Sequence, residues 1–492
     1  MSATAHGLEP ILAAATRGDA AEATRAARRL MQANPPPRIV QQVLDAAINL
    51  DDAGFIDIAA GLAIAAPLQP AGRIHAAWRL AIAGFADQAM AVLLCDQRVL
   101  AEAGSLEQVL EVLRTVQLRA GPGSLTRAQA SALSRRLLPL ENPPMLPSER
   151  GFAGDPRAVP VLRGAPVTIQ AAPGAPAVVT EELRGVLAEF ERSVVQIRHP
   201  TVSIQPDMFV NRLGQLWGRD GRLFRTYGRA IPDASRQAEA TAPVLDEATL
   251  AVERHNNVFH WFAEWFPTLA WRLDDPACTM PVLVRDDAAS FVTESLHLGA
   301  ASPLSLAGAG DAIFIRRLYV AQRDLAMLAR EEAVGALMTR LRERALAQFG
   351  ALAGTRPVYI SRRDSRKRRM ANELELEAAL EARGFDIVQM TPLSFGEKVA
   401  RISRAPLIVG AHGAGLAVLA AACPGRQVLE IIPALRGGMQ IRTVMAKISR
   451  IVGHSHHVWL QDVPAVADGW SLSLEPFLAL LDSLPATATA PT

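Results

Sequence analysis

Cysteine is scarce in this chain of 492 residues: Cys95, Cys278 and Cys423 are the only three, far apart from one another. They form no CxxC pair and have no histidine pair beside them, so neither a disulfide framework nor a cysteine-bound zinc is expected. A reducing compartment fits this usage. Excess charge is also lacking: 51 Lys and Arg against 49 Asp and Glu give a formal net charge of +2, which excludes a whole-chain polyanion binder. HExxH is absent, and with it the usual zinc-protease signature. The start, Met1 to Gly7, has no basic stretch followed by an apolar core, so no secretory signal is expected. A cytoplasmic location is the expectation, with peripheral contact to the inner membrane left open. Long apolar runs are missing except one, Pro406 to Gly425, whose one strongly polar interruption is His412. Gly410, Gly413, Gly415 and Pro424-Gly425 punctuate it, a combination foreign to a spanning helix. It predicts a buried strand, a glycine turn and a buried helix.

What is there divides into parts. Half of the residues are hydrophobic, and the length allows two to four domains. Residues 1–140 are Ala-rich with helical periodicity. Gly18, Gly54 and Gly84 open three similar stretches, spaced near the roughly 34-residue period of tetratricopeptide-type helix pairs. Such a region either receives a protein partner or packs on the rest of its own chain. Residues 141–165 are a linker punctuated by Pro143, Pro144, Pro147, Pro156 and Pro160. Beyond it, strands and helices alternate. Strands are expected at Val167–Ile169, Val194–Ile197 and Val202–Ile204, then a hairpin over Met208–Leu213 and Leu223–Tyr227, and short strands at Val282–Val284 and Ile313–Ile315. An aromatic-rich helix is expected over Asn257–Leu273, and a long one over Leu325–Phe349. A second unit reads strand 358–360, helix 373–383, strand 386–388, helix 395–404, strand 407–409, helix 415–422, strand 427–431. Strict alternation with apolar strands implies a parallel sheet covered on both faces, with ligands at the carboxyl ends of the strands. The fold class expected is α/β, two lobes at 166–345 and 346–492 preceded by an all-α domain.

Three clusters could carry chemistry. Ser361-Arg362-Arg363-Asp364-Ser365-Arg366-Lys367-Arg368-Arg369 follows the first strand of the second unit. Arginine forks bind phosphate oxygens, and a cluster of them suits a diphosphate; a solvated basic turn is the plainer reading. Nucleic acid is disfavoured, because no aromatic residues interleave the run. Next, Val409-Gly410-Ala411-His412-Gly413-Ala414-Gly415-Leu416 joins a strand directly to a helix. Small residues there admit a ligand to the backbone and to the helix N-terminus. His412 is read as a ligand contact or a local backbone cap. Glu430, amid apolar strand residues, needs a partner: ribose hydroxyls or a nearby arginine. The third cluster is Arg254 to Glu264. His260 and Glu264 stand four apart and share a helical face, which suits a base and its orienter; His255, five from His260, shares that face poorly. An aromatic helix packed on the sheet is the alternative.

These clusters, in this order, resemble glycosyltransferase family 61. The matching residues are His255-Asn256 with His260-Trp261, Ile360-Ser361-Arg362-Arg363 through Asn372-Glu373, the Gly410–Leu416 turn, and Glu430. The resemblance spans about residues 166 to 465 and leaves the helical region outside. It implies two Rossmann-like lobes of the GT-B type and a nucleotide-sugar donor, often a uridine diphosphate sugar. It also implies a glycan or polysaccharide acceptor and inversion without an essential metal or other cofactor. Carried onto this sequence, Arg362, Arg363 and Arg369 (with Arg366) neutralise the diphosphate. Gly410, His412, Gly413 and Gly415 cradle it, with Asn372 on the donor side and Glu430 on ribose. His260 or His255, with Glu264, supplies the base. Family members often have Asn two residues after the Leu of the glycine turn, where this chain has Val418. Two non-enzymatic readings compete: a helical scaffold whose α/β part binds nucleotide sugar without turnover, and a nucleic-acid binder using 362–369.

Overall fold

The computed structural model describes residues 3–33, 35–96, 98–101, 106–121, 123–137, 146–147, 162–194, 202–225, 231–321, 332–365, 369–434, 439–462 and 469–484. Most of the linker 141–165, the segments Val195–Ile197 and Arg366–Arg368, Tyr227, and the expected helix start at 325–331 lie outside the described residues.

The amino-terminal part is all helix: α1 (Ala3–Thr16), α2 (Ala20–Met31), α3 (Pro37–Leu50), α4 (Ala53–Ala65), α5 (Pro70–Ile82), α6 (Ala86–Leu94), α7 (Arg98–Ala101), α8 (Leu106–Arg119) and α9 (Leu125–Leu137). Local chemistry starts several of them. The Asp19 carboxylate accepts from the Glu22 N–H and that of Asp52 from the Phe55 N–H, while Pro37 and Pro70 sit at first-turn positions where no N–H is missed. On α2 the buried residues Ala23, Ala26, Ala27 and Leu30 form one stripe. Small side chains there allow close packing: α1/α2, α3/α4, α5/α6 and α8/α9 pair as hairpins, and α2, α4 and α6 stack along the array. The glycine repeat is less regular than its spacing suggests. Gly18 and Gly84 take left-handed turns, but Gly54 lies inside α4, and Asp51 (φ 56°) makes the corresponding turn.

Strands β1 (Leu146–Pro147), β2 (Thr168–Ala171), β3 (Val202–Val210), β4 (Leu216–Gly218), β5 (Leu223–Arg225), β6 (Val244–Leu250), β7 (Val282–Arg285), β8 (Leu306–Ala309) and β9 (Ile313–Ala321) precede the long helix Glu332–Phe349. After it come β10 (Val358–Ser361), β11 (Arg369–Met370), β12 (Asp386–Gln389), β13 (Leu407–Ala411), β14 (Gln427–Pro433), β15 (Ser455–Gln461) and β16 (Gly469–Trp470). The first sheet runs β5-β4-β3-β9-β6-β7-β8. Its β9-β6-β7-β8 portion is parallel and has the strand order of half a dinucleotide-binding fold, while β3 joins β9 antiparallel and extends it through β4 and β5. The second sheet, β12-β10-β13-β14-β15-β2, is wholly parallel. Its first five strands have the doubly wound order whose switch point falls between β10 and β13.

Two expected boundaries move. Strand β2 and the helix α10 (Ala177–Val194) do not join the lobe expected at 166–345. Strand β2 pairs with β15 and covers an edge that would otherwise be open, and α10 buries Val179, Leu183 and Val186 against Ile432, Met439 and Leu460 of the second unit. The other boundary, at 345, falls inside Glu332–Phe349, a helix that packs on Ser290–Gly299 of the first unit and Phe395–Ser403 of the second. Strand pairing and helix docking are non-local, so periodicity could not place either.

Three elements differ from expectation in type or length. Strand β9 is nine residues, longer than Ile313–Ile315. The expected helix 257–273 divides into a π-helical turn His260–Trp265, a 3-10 turn Phe266–Leu269 and an α turn Ala270–Leu273; Pro267 cannot donate and disturbs the ladder here. The helix after the glycine turn is 3-10 over Ala414–Ala421. One hydrophobic core runs through both sheets, including Val210, Leu283, Phe262, Phe395, Ile360 and Val428. The helical region has a separate one. No helix among the described residues is long and apolar enough to cross a membrane, and the apolar run 406–425 is a strand and a short helix as expected.

Candidate functional site

A cavity of about 360 Å³ opens at the switch point of the second sheet. Its walls come from the loops after β10, β12 and β13: Ser361, Arg362 and Asp364, then Met390 and Thr391, then Gly413 to Leu416. Three of the four strand ends expected to face a ligand do so. The carboxylate of Asp364 accepts from the Thr391 N–H at 3.1 Å and ties two of these loops together.

Arg362 is the central cation. Its backbone N–H donates to Glu373 Oε1 at 2.7 Å, an oxygen that also accepts from the Tyr359 hydroxyl at 2.8 Å. Burial and the Glu373 carboxylate hold the Tyr359 phenol well above its ordinary value, so it stays a donor. The guanidinium donates to the His412 carbonyl oxygen and, at 3.0 Å, to Ser365 Oγ. A Cβ at position 413 would overlap a guanidinium nitrogen of Arg362, so the glycine there makes room for the cation. Gly410 is tight as well: a Cβ would lie 3.3 Å from Leu416 and 3.4 Å from Ile360. Gly415 also lines the cavity, and Val418 gives it an apolar wall.

The other donor-side candidates are placed elsewhere. Arg363 turns to Glu377, with Nε 3.0 Å from Oε1, and is absent from the cavity wall. Arg369 lies in β11 and donates to the Ser365 carbonyl oxygen at 3.1 Å. Asn372 bridges to the backbone of Leu472, donating at 2.9 Å and accepting at 2.8 Å, which docks the carboxyl-terminal segment. Glu430 is fully buried, and both its oxygens are engaged: His412 Nδ1 at 2.7 Å and His456 Nε2 at 3.1 Å. It therefore cannot reach a ribose; its partners are histidines, neither sugar nor arginine. His456 Nδ1 continues the chain to Ser449 Oγ at 2.8 Å. Burial pushes the Glu430 carboxyl up, but the two imidazoles outweigh it and leave the group below its ordinary value. His412 thus presents its carbonyl to Arg362 while its ring is anchored behind the sheet.

Two residues escaped the sequence reading. Lys398, on the helix Phe395–Ser403, lines the cavity. Burial lowers its ammonium below the ordinary value, against the raising influence of Glu294, Glu397 and Asp364. Nothing in its sequence context separates it from a solvent-facing lysine of an amphipathic helix. His456 could have been found, since a buried Glu430 demanded a donor and the run His454-Ser455-His456-His457 offered several.

The upstream cluster closes one side of the same cavity through Val258. It follows β6, at a strand carboxyl end of the first sheet. Buried Glu253 shapes it by accepting from the N–H groups of His255 (2.7 Å) and Asn257 (3.1 Å), and Asn256 turns with φ 50°. That turn brings His255 back over His260, with ring centroids 4.8 Å apart, although helical geometry alone would separate residues five apart. His260 Nδ1 lies 3.2 Å from Glu264 Oε1, both half exposed. The π-helical turn His260–Trp265 packs on Ala414–Ala421 of the glycine turn. The structure therefore brings Val258 and the turn His260–Trp265 against the cavity of Arg362 and the glycine turn, while His255, His260 and Glu264 are not among the residues that line it. Among the described residues no group of three or more His, Cys, Asp or Glu side chains is arranged to hold a metal ion.

Two α/β sheets, with a cavity at the switch point of the second and Val258 of the first lobe on its wall, define a two-lobed α/β protein. Residues 258–429 match the family model described as Glycosyltransferase 61, so this part of the chain is similar to that family. The match begins at the residue that closes the cavity and ends one residue before Glu430. A search of curated proteins gives no match.

Proposed function

We propose that the chain transfers a sugar from a nucleoside diphosphate donor, a uridine diphosphate sugar by the family resemblance, to a hydroxyl of a glycan or polysaccharide acceptor. The observation that supports this is the pairing of Arg362 with Lys398 in one cavity at the mouth of the glycine turn. Arg362 offers a planar fork and Lys398 a point charge to the diphosphate. The N–H groups opening Ala414–Ala421 add the positive end of a helix. Leaving-group charge grows in the transition state, and fixed cations stabilise it there without reorganisation. In this reading they do so without a metal or other cofactor. His260, oriented by Glu264 and backed by the His255 ring, takes the acceptor proton. Attack from the side opposite the diphosphate inverts the anomeric centre.

Calorimetric titration with UDP, GDP and CDP tests the donor side. One diphosphate binds, and Arg362→Ala and Lys398→Ala each weaken it about tenfold or more. His260→Ala abolishes turnover of the matching sugar while the diphosphate still binds. Folded protein that binds none of the three points instead to a scaffold without a donor, and steep salt-dependent affinity for oligonucleotides would return the nucleic-acid reading.

A further inference from the structure

A second cavity, of about 480 Å³, lies where the helical region meets the α/β part. Its floor is one face of α5, Ile74, His75 and Trp78; α8 supplies Gln108 and Glu111; and the far wall is Arg254. The spacing of 74, 75 and 78 puts them on a single helical face. The Trp78 ring is half buried, packed at its base against the helical core and open toward the cavity. His75 lies beside it with ring centroids 6.0 Å apart and planes at 30°. Burial, then the neighbouring Arg79, lowers the His75 imidazole below its ordinary value, so at neutral pH it offers one donor and one acceptor.

This lining suits a particular chemistry. A broad aromatic face takes the C–H face of a pyranose ring, and the amide, carboxylate, imidazole and guanidinium around it take its hydroxyls. Both charge signs are present, so no strongly charged ligand is selected. The volume is that of a small-molecule site, about 300–1,000 Å³, too small to seat a partner helix. Side-chain contacts lead from its wall to the proposed base: Arg254 Nε donates to His255 Nε2 at 2.8 Å, His255 stacks on His260, and His260 meets Glu264. We infer that this groove is an acceptor subsite, in which the helical region binds a sugar unit of the acceptor oligosaccharide some distance from the hydroxyl that reacts at His260. The helical region then serves substrate selection rather than a protein partner. The inference rests on the acceptor-side assignment of His255 and His260, but its test does not require the donor.

The full-length chain is titrated with cellohexaose, xylohexaose, chitohexaose and maltohexaose, and separately with UDP. At least one hexasaccharide is expected to bind, and Trp78→Ala to weaken it about tenfold or more. Should Trp78→Ala fail to fold by circular dichroism, Gln108→Ala and Glu111→Ala, at exposed positions, carry the same test. Absence of binding by all four hexasaccharides overturns the inference, as does a bound one whose affinity ignores Trp78, Gln108 and Glu111. UDP binding without hexasaccharide binding removes the subsite alone. Hexasaccharide binding without UDP binding removes the donor reading and leaves the subsite.

Discussion

Individual buried groups set how this protein responds to acid. His454, immediately before β15, is fully buried, with Nε2 3.0 Å from the Leu419 carbonyl oxygen and Nδ1 without a hydrogen-bond partner. Burial lowers its pKa to about 4, helped by the charges of His456, Arg426 and Arg342 and opposed by the Leu419 carbonyl. The unfolded chain, with an ordinary value of 6.5, therefore binds more protons than the folded one between these limits. The contribution of His454 is complete above the unfolded value and lost by the folded one, up to about 3 kcal/mol. Denaturant titrations across this range should show stability falling as pH drops below 6.5, with a flatter slope in His454→Gln; equal slopes would contradict the assignment. Glu430 acts lower on the scale. Its folded value lies below 4.5, so its contribution is present above the unfolded value and disappears as pH falls through the folded one. The need for a partner at Glu430 was legible in the sequence, because a carboxylate in an apolar strand is costly. Which partner it took was not, since His456 reaches it from a neighbouring strand of the sheet.

At the scale of elements, the glycine turn is built around one arginine. Glycine at 413 leaves room for the Arg362 guanidinium, whose loop is fixed in turn by Glu373 at the start of the next helix. Gly413→Ala should displace Arg362 and weaken nucleoside diphosphate binding about tenfold or more, with little change in melting temperature because the turn is at the cavity rim. Calorimetry and a thermal scan on the same preparation check this; unaltered affinity would mean Arg362 is not the cation that matters. The order strand, turn, helix was readable from the sequence here. The 3-10 winding of Ala414–Ala421 and the π turn at His260–Trp265 were not, because each arises where the two elements pack on one another.

At the scale of the molecule, the two sheets share a core and the helical array keeps its own. The Phe262 and Phe395 rings meet edge to face at 5.0 Å across the lobes. Glu294 of the first lobe caps the second lobe's helix Phe395–Ser403, accepting from the N–H groups of Phe395 (2.8 Å) and Gly396 (2.9 Å). The α/β part should therefore unfold in one calorimetric transition, separate from that of the helices. Phe395→Ala should lower that transition by about 3–5 kcal/mol and Glu294→Ala by about 1 kcal/mol, both without moving the helical one. Two α/β transitions, only one of them shifted by Phe395→Ala, would show the lobes to be independent.

The sequence by itself determined the alternation of strands and helices in the second unit, the Ala-rich helical array and the glycine turn, because each is written in local periodicity and backbone freedom. It also determined which residue types could carry charge and protons at the site. Only the tertiary structure decided which of them meet. It turned Arg363 onto Glu377 and Asn372 onto Leu472, buried Glu430 between two histidines, stacked His255 on His260, and brought Lys398 and Arg362 to the wall of one cavity. It also moved β2 and α10 from the lobe they precede to the sheet they complete. The physical reason is common to all of these: ion pairs, ring contacts and strand edges are satisfied by whichever group the folded chain brings within a few ångströms, and distance along the chain does not encode that proximity.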